Sequence, residues 1–319
     1  MKMKILISEK IDPICPALFK EAGFEVDHRP ALTPAELLEI IGNYDGLVVR
    51  SSTKVTAEVL AKGAPRLKVV GRAGAGVDTI DVEAATRAKI LVMNTPGQNA
   101  NGVAELVFGL MLSLVRHIAV GCSTLKAGRW EKNKLGGTEL LGKTIGLVGF
   151  GAIGRRVCAM ARGLGMNVLA YDPLLTYDQI SACGAQPGTL DEVLRGGDFV
   201  SLHLPKTRET SNLINRAALD KMKPTAMLLN CARGGLVDEA ELAAALKEGR
   251  LAGAAMDVFT QEPPTADNPL LALDNFVGTP HLGASTAESQ VNVAAAVARQ
   301  MIAYFRDGSL EGAVNSIQA

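Results

Sequence analysis

Two doubly wound α/β domains, each built on a parallel sheet, are the fold class that this sequence of 319 residues predicts. Three observations favour it: two series of short apolar runs alternate with amphipathic segments, a glycine-rich motif follows the first run of the second series, and the composition combines 33 glycines with only 4% aromatic residues. Buried parallel strands appear as nearly continuous apolar runs, and their alternation with helices implies crossover connections. A chain of this length commonly forms two domains.

The first series of apolar runs predicts a sheet in the N-terminal part of the chain. Its strands are KILIS, GLVVRS, LKVVGRAG and ILVMNTP, and its helices include PAELLEIIGNY and TAEVLAKGA. From about residue 99 the pattern changes to one long helical segment, residues 101–128. The closing helix, TAESQVNVAAAVARQMIAYFRDG, is expected to return to this first domain. The first domain is therefore predicted to be discontinuous, comprising residues 1–98 and 286–319.

The second series predicts another sheet, in a domain spanning residues 99–285. It begins with KTIGLVGFGAIG and continues through NVLAYD, FVSLHL, AMLLNCA, AGAAMDV and NFVGTP. No repeat of 20–50 residues is visible, which argues against a solenoid.

Composition excludes several classes of function. Lys+Arg and Asp+Glu both number 33, so no overall basic field attracts nucleic acid or an anionic membrane. The five cysteines show no C-x-x-C spacing, which argues against zinc and redox motifs, and no metal site is expected. The N-terminus MKMKILISEK lacks the apolar region of a signal peptide, and the longest apolar stretch, residues 106–115, is too short to span a bilayer. We expect a cytoplasmic protein.

The stretch GFGAIG predicts a dinucleotide site. It places Gly149, Gly151 and Gly154 in G-x-G-x-x-G spacing around Ala152 and Ile153, after a strand and at the start of a helix, which is the context the motif requires. The helix N-terminus offers N–H groups and a positive dipole end to a pyrophosphate. The next strand ends in Asp172, whose carboxylate suits ribose hydroxyls and repels a 2′-phosphate, favouring NAD over NADP. The alternative for Asp172 is a turn residue before Pro173.

Of the four histidines, His281 is the best candidate for an acid/base group. It follows a strand of the second domain and precedes Gly283, and ligands of such sheets bind at the carboxyl ends of strands. By position, His28 is expected in a loop, His117 within the long helix, and His203 inside a strand as a packed, hydrogen-bonded core residue.

Two other strand ends supply partners for His281. Arg233, after MLLNCA, can hold a carboxylate through two parallel hydrogen bonds. Asp257 and Glu262 follow GAAM, and a glutamate beside a histidine orients the imidazole and fixes its tautomer. Each has an alternative: Arg233 pairing with Asp238, a solvated Glu262, and a turn-capping Asp257.

These stretches carry a resemblance. NCARGGLVDEAEL, GAAMDVFTQEPP and TPHLGAST resemble motifs of the D-2-hydroxyacid dehydrogenase family over nearly the whole chain, and GRAGAGVDTID and RWEKNKLGGTELLGKT resemble its phosphoglycerate dehydrogenase branch. The family's arginine, glutamate and histidine match Arg233, Glu262 and His281, and Asp257 matches its nicotinamide contact. Further cofactor contacts implied by the resemblance are Leu204, Pro205, Cys231, Ala232, Arg233, His281, Gly283 and Ala284.

The resemblance implies a Rossmann NAD-binding domain, a flavodoxin-like substrate-binding domain, and a homodimer or higher homo-oligomer. It also implies hydride transfer between NAD and C2 of an anionic D-2-hydroxyacid. Arg233 would hold the acid's carboxylate, His281 would take the proton of the C2 hydroxyl, and Glu262 would orient His281. The favoured acid is 3-phosphoglycerate, oxidised to 3-phosphohydroxypyruvate for serine biosynthesis.

The first domain is expected to bind the rest of the acid. Arg50 and Arg72 follow buried strands, and Ser51, Ser52 and the 73–76 backbone, including Ala73 and Gly74, can form an anion-binding nest. The resemblance places Lys132 at a phosphate across a dimer interface.

Departures from the branch leave the acid open. Gly97, Gln98 and Leu135 differ from its usual residues, and the chain stops at 319 without a regulatory domain, so serine feedback is not expected. Sulfolactate, glycerate or hydroxypyruvate, and lactate are alternatives. An NAD(H)-sensing corepressor-like binding protein is an alternative of a different class, against which the absence of charged or disordered extensions weighs.

Overall fold

A computed structural model describes residues 2–317 of the chain. The chain divides into two compact units: the first runs up to Asn99 and resumes at Ala284, and the second comprises Ala100–Gly283. Each unit is built on one parallel sheet covered by helices, with five strands in the first and seven in the second. The predicted fold class is confirmed.

The first unit has the strand order β2-β1-β3-β4-β5, and all neighbours are parallel. Its strands are β1 (Lys4–Ile7), β2 (Glu25–His28), β3 (Gly46–Val49), β4 (Val69–Arg72) and β5 (Leu91–Met93). Its helices are α1 (Ile14–Glu21), α2 (Pro34–Ile40), α3 (Ala57–Gly63), α4 (Val82–Arg87) and, late in the chain, α12 (Ala287–Asp307), with a 3₁₀ turn at Ile41–Asn43.

Two apolar clusters cover the faces of this sheet. One face packs α2, α3 and α4, and the other packs α1 together with α12, whose Val293, Val297 and Met301 are buried. The sequence did not predict β2, which lies at the sheet edge. His28 is the last residue of this strand rather than part of a loop, and its Nε2 lies 3.0 Å from the carbonyl oxygen of Glu9.

The second unit has the strand order β12-β11-β10-β9-β6-β7-β8, again all parallel. Its strands are β6 (Thr144–Val148), β7 (Asn167–Tyr171), β8 (Gln186–Pro187), β9 (Phe199–Leu202), β10 (Met227–Asn230), β11 (Gly253–Met256) and β12 (Phe276–Gly278). Its helices are α5 (Ala100–Val115), α6 (Ile118–Lys126), α7 (Ala152–Gly163), α8 (Tyr177–Ser181), α9 (Leu190–Gly196), α10 (Arg216–Leu219) and α11 (Glu239–Lys247), with 3₁₀ turns at Lys132–Lys134 and Pro269–Ala272.

The expected long helix after residue 99 is wrong: α5 and α6 are separate helices that meet at 64°. His117 lies at the break with a left-handed backbone, φ +50°, and not inside a helix. The cause is a distant segment. The N–H of Thr138 donates to the carbonyl of Val115 at 3.0 Å, and the His117 ring lies 3.0 Å from the carbonyl of Gly136, so the end of α5 is capped from outside.

No single helix among the described residues has both the length and the apolar composition of a membrane span, although α5 and α6 taken together pass that test.

The strand order of the second unit reverses between β6 and β9, because successive strands lie on opposite sides of that pair. Loops leaving the carboxyl ends of parallel strands meet at one edge of the sheet, and a reversal opens a crevice there. The loops after β6, β9, β10, β11 and β12 therefore form the candidate site.

Candidate active site

The glycine-rich loop after β6 fits a dinucleotide pyrophosphate. Gly149 has φ +95°, and a Cβ there would lie 2.5 Å from the carbonyl oxygen of His203, so only glycine fits. A Cβ at Gly154 would lie 2.5 Å from the Gly149 carbonyl oxygen, which accounts for the close packing of α7 on the loop. Around Gly151 there is open space within 4 Å, and no side chain caps the N-terminus of α7. The helix end is therefore open to an external anion, with Ala152 and Ile153 in its first turn.

Asp172 follows β7 and joins this loop. Its Oδ2 accepts a hydrogen bond of 2.8 Å from the N–H of Phe150, and its Oδ1 accepts one of 2.9 Å from the N–H of Leu174. The turn around Pro173 that sequence offered as an alternative therefore exists. A carboxylate has about four lone-pair positions, so acceptor capacity remains for ribose hydroxyls.

Glu262 and His281 form the pair that the sequence predicts. Oε2 of Glu262 lies 2.8 Å from Nδ1 of His281, and Oε1 accepts a hydrogen bond of 3.0 Å from the N–H of Phe259. The His281 side chain is 50% exposed, and among the described residues its Nε2 has no hydrogen-bond partner. A carboxylate on Nδ1 favours the tautomer in which Nδ1 carries hydrogen and Nε2 can accept a proton.

Asp257, at the end of β11, organises the loop that carries His281. Its buried carboxylate accepts hydrogen bonds from the hydroxyl of Thr279 at 2.6 Å and from the N–H groups of Leu282 and Gly283 at 2.7 and 2.8 Å. Asp257 thus has the turn-capping role that was the alternative in the sequence analysis. The hydrogen bond from Thr279 was not predicted.

Arg233 leaves β10 in a turn fixed by the buried side chain of Asn230, which accepts from the N–H of Ala232 at 3.1 Å and donates to the carbonyl of Arg233 at 3.0 Å. Nη1 of Arg233 donates to the carbonyl of Ala232 at 2.7 Å. A Cβ at Gly234 would overlap the Phe259 carbonyl, so this turn packs directly on the loop that carries Glu262.

Asp238, the alternative partner of Arg233 in the sequence analysis, is the N-cap residue of α11. Its Oδ1 accepts hydrogen bonds of 3.1 Å from the N–H groups of Ala240 and Glu241.

His203 differs from its prediction as a hydrogen-bonded core residue. It lies just after β9, and neither ring nitrogen, both shielded from solvent, has a hydrogen-bond partner among the described residues. Burial lowers the pKa of His203 from its ordinary 6.5 to about 3. The ring is consequently neutral at physiological pH, which argues against a role as a charged group.

The other predicted cofactor contacts lie on the same strand ends. Leu204 and Pro205 follow β9, Cys231 and Ala232 follow β10, and Gly283 follows β12 with its N–H held by Asp257. Burial, with a smaller effect of Asp257, raises the pKa of the Cys231 thiol, so Cys231 contributes packing and main-chain groups rather than a thiolate. Ala284 belongs to the first unit.

Part of the anion nest predicted in the first unit is already used by hydrogen bonds within the fold. The N–H of Ser52 donates to Glu9 at 3.1 Å, and the N–H of Ala73 donates to the carbonyl of Val49 at 2.9 Å. The N–H of Gly74 is shared between the carbonyl of Arg72 at 2.9 Å and the hydroxyl of Thr95 at 2.8 Å. These amides are satisfied within the fold and are not available to a ligand.

Some groups of the first unit are still available to bind an anion. The N–H groups of Ser51, Ala75 and Gly76 have no hydrogen-bond partner among the described residues. Nη1 of Arg50 donates to the carbonyl of Lys10 at 2.8 Å. The Arg72 guanidinium folds over Gly74, where any side chain would collide with it. Glu9 was not predicted as a functional residue, although an acidic residue directly after a buried strand was a usable signal.

Lys132 lies in the exposed 3₁₀ turn Lys132–Lys134 of the second unit, two residues after Trp130, whose side chain is 81% exposed. Across residues 2–317, no group of three or more His, Cys, Asp or Glu side chains could hold a metal ion.

Comparison with known proteins decides the family. The family model described as D-isomer specific 2-hydroxyacid dehydrogenase, NAD binding domain, matches residues 108–283. The chain belongs to this family. The second unit is therefore the NAD-binding domain of this family, and NAD, the cofactor expected from the glycine motif and Asp172, is confirmed.

Relatives agree with this membership. The chain is 46% identical over 314 residues to a D-3-phosphoglycerate dehydrogenase of Methanocaldococcus jannaschii, covering 98% of this chain and 59% of that protein. It therefore spans less than two thirds of the relative's length.

Two solved structures of similar fold match this chain over almost the full length of both chains. The TT0316 protein of Thermus thermophilus is 35% identical, with a TM-score of 0.86, 98% of this chain and 100% of that chain covered. The 3-phosphoglycerate dehydrogenase of Entamoeba histolytica, solved with NAD⁺ bound, is 33% identical, with a TM-score of 0.83 and 100% of each chain covered.

Proposed function

We propose that the chain is an NAD-dependent oxidoreductase that transfers a hydride between C2 of a D-2-hydroxyacid and NAD, with 3-phosphoglycerate as the acid and 3-phosphohydroxypyruvate as the oxidised product. The observation that carries the proposal is the 2.8 Å contact between Glu262 and Nδ1 of His281, on an imidazole whose Nε2 is unpartnered among the described residues. Relatives named D-3-phosphoglycerate dehydrogenase support this choice of acid.

His281 acts as the general base during oxidation. Its Nε2 takes the proton of the C2 hydroxyl, and in the reverse direction returns it to the C2 oxygen. Glu262 is a positioning residue, because it holds Nδ1 and stabilises the positive ring that forms. When bound, NAD supplies the hydride acceptor. The glycine-rich loop and the α7 N-terminus would hold its pyrophosphate, and Asp172 would hold its adenosine ribose. The residues after β9, β10 and β12 would hold the remainder.

Arg233 binds the carboxylate of the acid and polarises the C2 oxygen. The Asn230 hydrogen bonds at 3.1 and 3.0 Å fix the main chain at Arg233, and the hydrogen bond of 2.7 Å from Nη1 to the Ala232 carbonyl orients the guanidinium. A planar guanidinium can meet a carboxylate with two parallel bonds, which lysine cannot do.

Arg50, Ser51 and Arg72 of the first unit bind the phosphate of the acid. Two guanidinium groups and one unpartnered N–H suit a group that carries up to two negative charges, whereas lactate presents a methyl group there. Charge-assisted hydrogen bonds contribute about 1.5–3 kcal/mol each, so either arginine is expected to change binding roughly tenfold or more.

The protein is expected to act as a homodimer or higher homo-oligomer in the cytoplasm, in serine biosynthesis, with Lys132 contributing to the partner subunit's phosphate site. Support comes from exposed apolar side chains on α6 and in the segment before Lys132: Ile118 and Leu125 on α6 are 53% and 59% exposed, and Trp130 is 81% exposed. Light scattering gives the mass of the assembly in solution. A monomer whose Lys132→Ala variant keeps normal kinetics would contradict both points.

A kinetic panel tests the proposed function. Purified protein is assayed with NAD and with NADP on 3-phosphoglycerate, sulfolactate, glycerate and lactate, and with the matching 2-keto acids in the reverse direction. We expect 3-phosphoglycerate and NAD to give the highest kcat/KM, and Arg50→Ala and Arg72→Ala to raise KM for that acid while leaving KM for glycerate nearly unchanged.

Other outcomes point elsewhere. A preference for lactate or glycerate, or equal penalties on all acids in the arginine variants, would refute the phosphate assignment. Tight NADH binding without turnover of any acid would favour an NAD(H)-sensing binding protein.

A further inference from the structure

The first unit has a strand-order reversal of its own, between β1 and β3. The chain proceeds from β1 to β2 on one side and from β3 through β4 to β5 on the other. The loops that follow β1 and β3, residues 8–10 and 50–53, therefore meet at the point where sheets of this order usually open a ligand crevice. In this chain a side chain of the protein itself occupies that point.

That side chain is Glu9. Its Oε1 accepts hydrogen bonds of 2.8 Å from the N–H groups of Arg50 and Thr53, and its Oε2 accepts one of 3.1 Å from the N–H of Ser52. The residue is only 9% exposed. Burial raises the pKa of Glu9, but the hydrogen bonds from Thr53, Arg50 and Ser52 outweigh it and hold the pKa below its ordinary value. The loop after β3 is thus wrapped around the Glu9 carboxylate.

The same segment also fixes the Arg50 side chain. Its Nη1 donates to the carbonyl of Lys10, the residue after Glu9, at 2.8 Å. Arg50 is consequently held at its backbone by Glu9 and at its guanidinium by the next residue. Ser51 lies between the bonded amides, is exposed, and among the described residues has an unpartnered N–H.

We propose that Glu9 is a positioning residue for substrate: it fills the β1/β3 crevice and sets the loop so that the Arg50 side chain and the Ser51 N–H are left to bind the anionic substituent of the acid. The inference rests on the proposed function, in which Arg50 and Ser51 contact that substituent. The N–H groups of Ser52 and Thr53 are not available to the acid, because the Glu9 carboxylate already accepts from them and would repel a second anion.

The test compares Glu9→Gln with a matched control, Asp45→Asn. Asp45 precedes β3 at the opposite end of the strand, and its Oδ2 accepts a hydrogen bond of 2.7 Å from the N–H of Lys4. Both variants lose a carboxylate bonded to main chain in the same unit. KM for the acid, kcat, the NADH dissociation constant and the melting temperature are measured for each.

We expect Glu9→Gln to raise KM for the acid roughly tenfold, the usual effect of disturbing a hydrogen bond to a charged group, with kcat and NADH affinity nearly unchanged. Asp45→Asn is expected to lower the melting temperature and leave KM alone. In an Arg50→Ala background, Glu9→Gln should add little, because its effect is exerted through Arg50.

Equal KM values in Glu9→Gln and Asp45→Asn, or full additivity with Arg50→Ala, would overturn the proposal. If Glu9→Gln does not fold, Glu9→Asp replaces it: the shorter side chain keeps its charge but cannot reach all three N–H groups, and an unchanged KM would again overturn the proposal. The acid used is the one that wild type turns over best. If the assigned acid is wrong, the kinetics of the wild-type protein alone show it. If the wild-type protein turns over no acid, both proposals are refuted. If only the role of Glu9 is wrong, only the variants show it.

Discussion

The main chain of His281 is bonded to Asp257: the carbonyl oxygen of Asp257 accepts a hydrogen bond of 2.8 Å from the N–H of His281. His281 has a left-handed backbone, φ +55°, which costs a residue other than glycine about 1–2 kcal/mol. The Asp257 carboxylate bonds Thr279 on one side of His281 and Leu282 and Gly283 on the other. One buried residue thus holds the strained loop in place on both sides of the proposed base.

Replacing Asp257 with Asn should therefore reduce kcat by about tenfold or more, because an amide NH₂ would face main-chain N–H groups and the loop would shift. Steady-state kinetics and thermal melting measure the effect. Asp198→Asn is the control. Asp198 precedes β9, at the edge of the sheet opposite the site, and its carboxylate accepts a hydrogen bond of 2.8 Å from the N–H of Thr144. Its expected result is a lower melting temperature with normal kcat. Normal kcat in Asp257→Asn would show that the loop does not depend on this carboxylate.

His281→Asn should lower kcat by about 10²–10⁴, the usual contribution of general acid–base catalysis, with NADH affinity nearly intact. Glu262→Gln should cost less, because the amide oxygen can still accept from Nδ1 but carries no charge. Stopped-flow measurement of hydride transfer gives the effect on the chemical step, and NADH fluorescence titration gives the effect on cofactor affinity. A comparable loss of kcat in His203→Asn, with His281→Asn active, would transfer the role of base to His203.

Asp172→Asn should raise kcat/KM for NADP relative to NAD, because it removes the charge that repels a 2′-phosphate while an oxygen remains for hydrogen bonding. The ratio of kcat/KM with the two cofactors is the measurement, and Asp178→Asn, on α8 of the same unit, is the control. Asp172 also bonds Phe150 and Leu174, so some loss of NAD affinity is expected too. A wild-type preference for NADP would contradict the role given to Asp172.

His203 should make the protein less stable as the pH falls. Its pKa is about 3 in the folded protein against an ordinary 6.5, so between these values the unfolded chain binds a proton that the folded protein does not. The free energy of unfolding then decreases by about 1.4 kcal/mol for each pH unit below 6.5. In His203→Leu this contribution should disappear. Urea unfolding of both proteins across that range is the measurement, and equal slopes would show that His203 is not buried in its neutral form.

Elements with a strong local signal were predictable from the sequence. β6 and α7 have continuous apolar and helical patterns joined by a glycine motif, and the Glu262–His281 pair lies in two adjacent strand-end loops. β2 was not predictable in this way, because its residues Glu25–His28 are half exposed at the sheet edge and show no apolar run. β8 has only two residues, too few for any pattern.

The remaining errors have non-local causes. The break at His117 depends on Gly136 and Thr138, and nothing within residues 101–128 indicates it. Part of the predicted nest is unavailable because Glu9 and Thr95, both distant in sequence, accept hydrogen bonds from the N–H groups of Ser52 and Gly74. Sequence patterns reveal which main-chain groups could bind a ligand, but not which of them the fold already uses.

The glycine-rich loop has one further consequence, for the entropy of cofactor binding. Both main-chain polar groups of Phe150 are engaged: its N–H donates to Asp172 at 2.8 Å, and its carbonyl accepts from Nε of Arg155 at 3.2 Å. Ordering a backbone residue costs about 1–2 kcal/mol, and here that cost is met during folding. Calorimetry should therefore show dinucleotide association without the large unfavourable entropy of a loop that orders on binding. The N–H groups of Gly149 and Phe150, which donate to Tyr171 and Asp172, should be protected from hydrogen exchange before any cofactor is added, whereas the open N–H groups at the start of α7 should exchange.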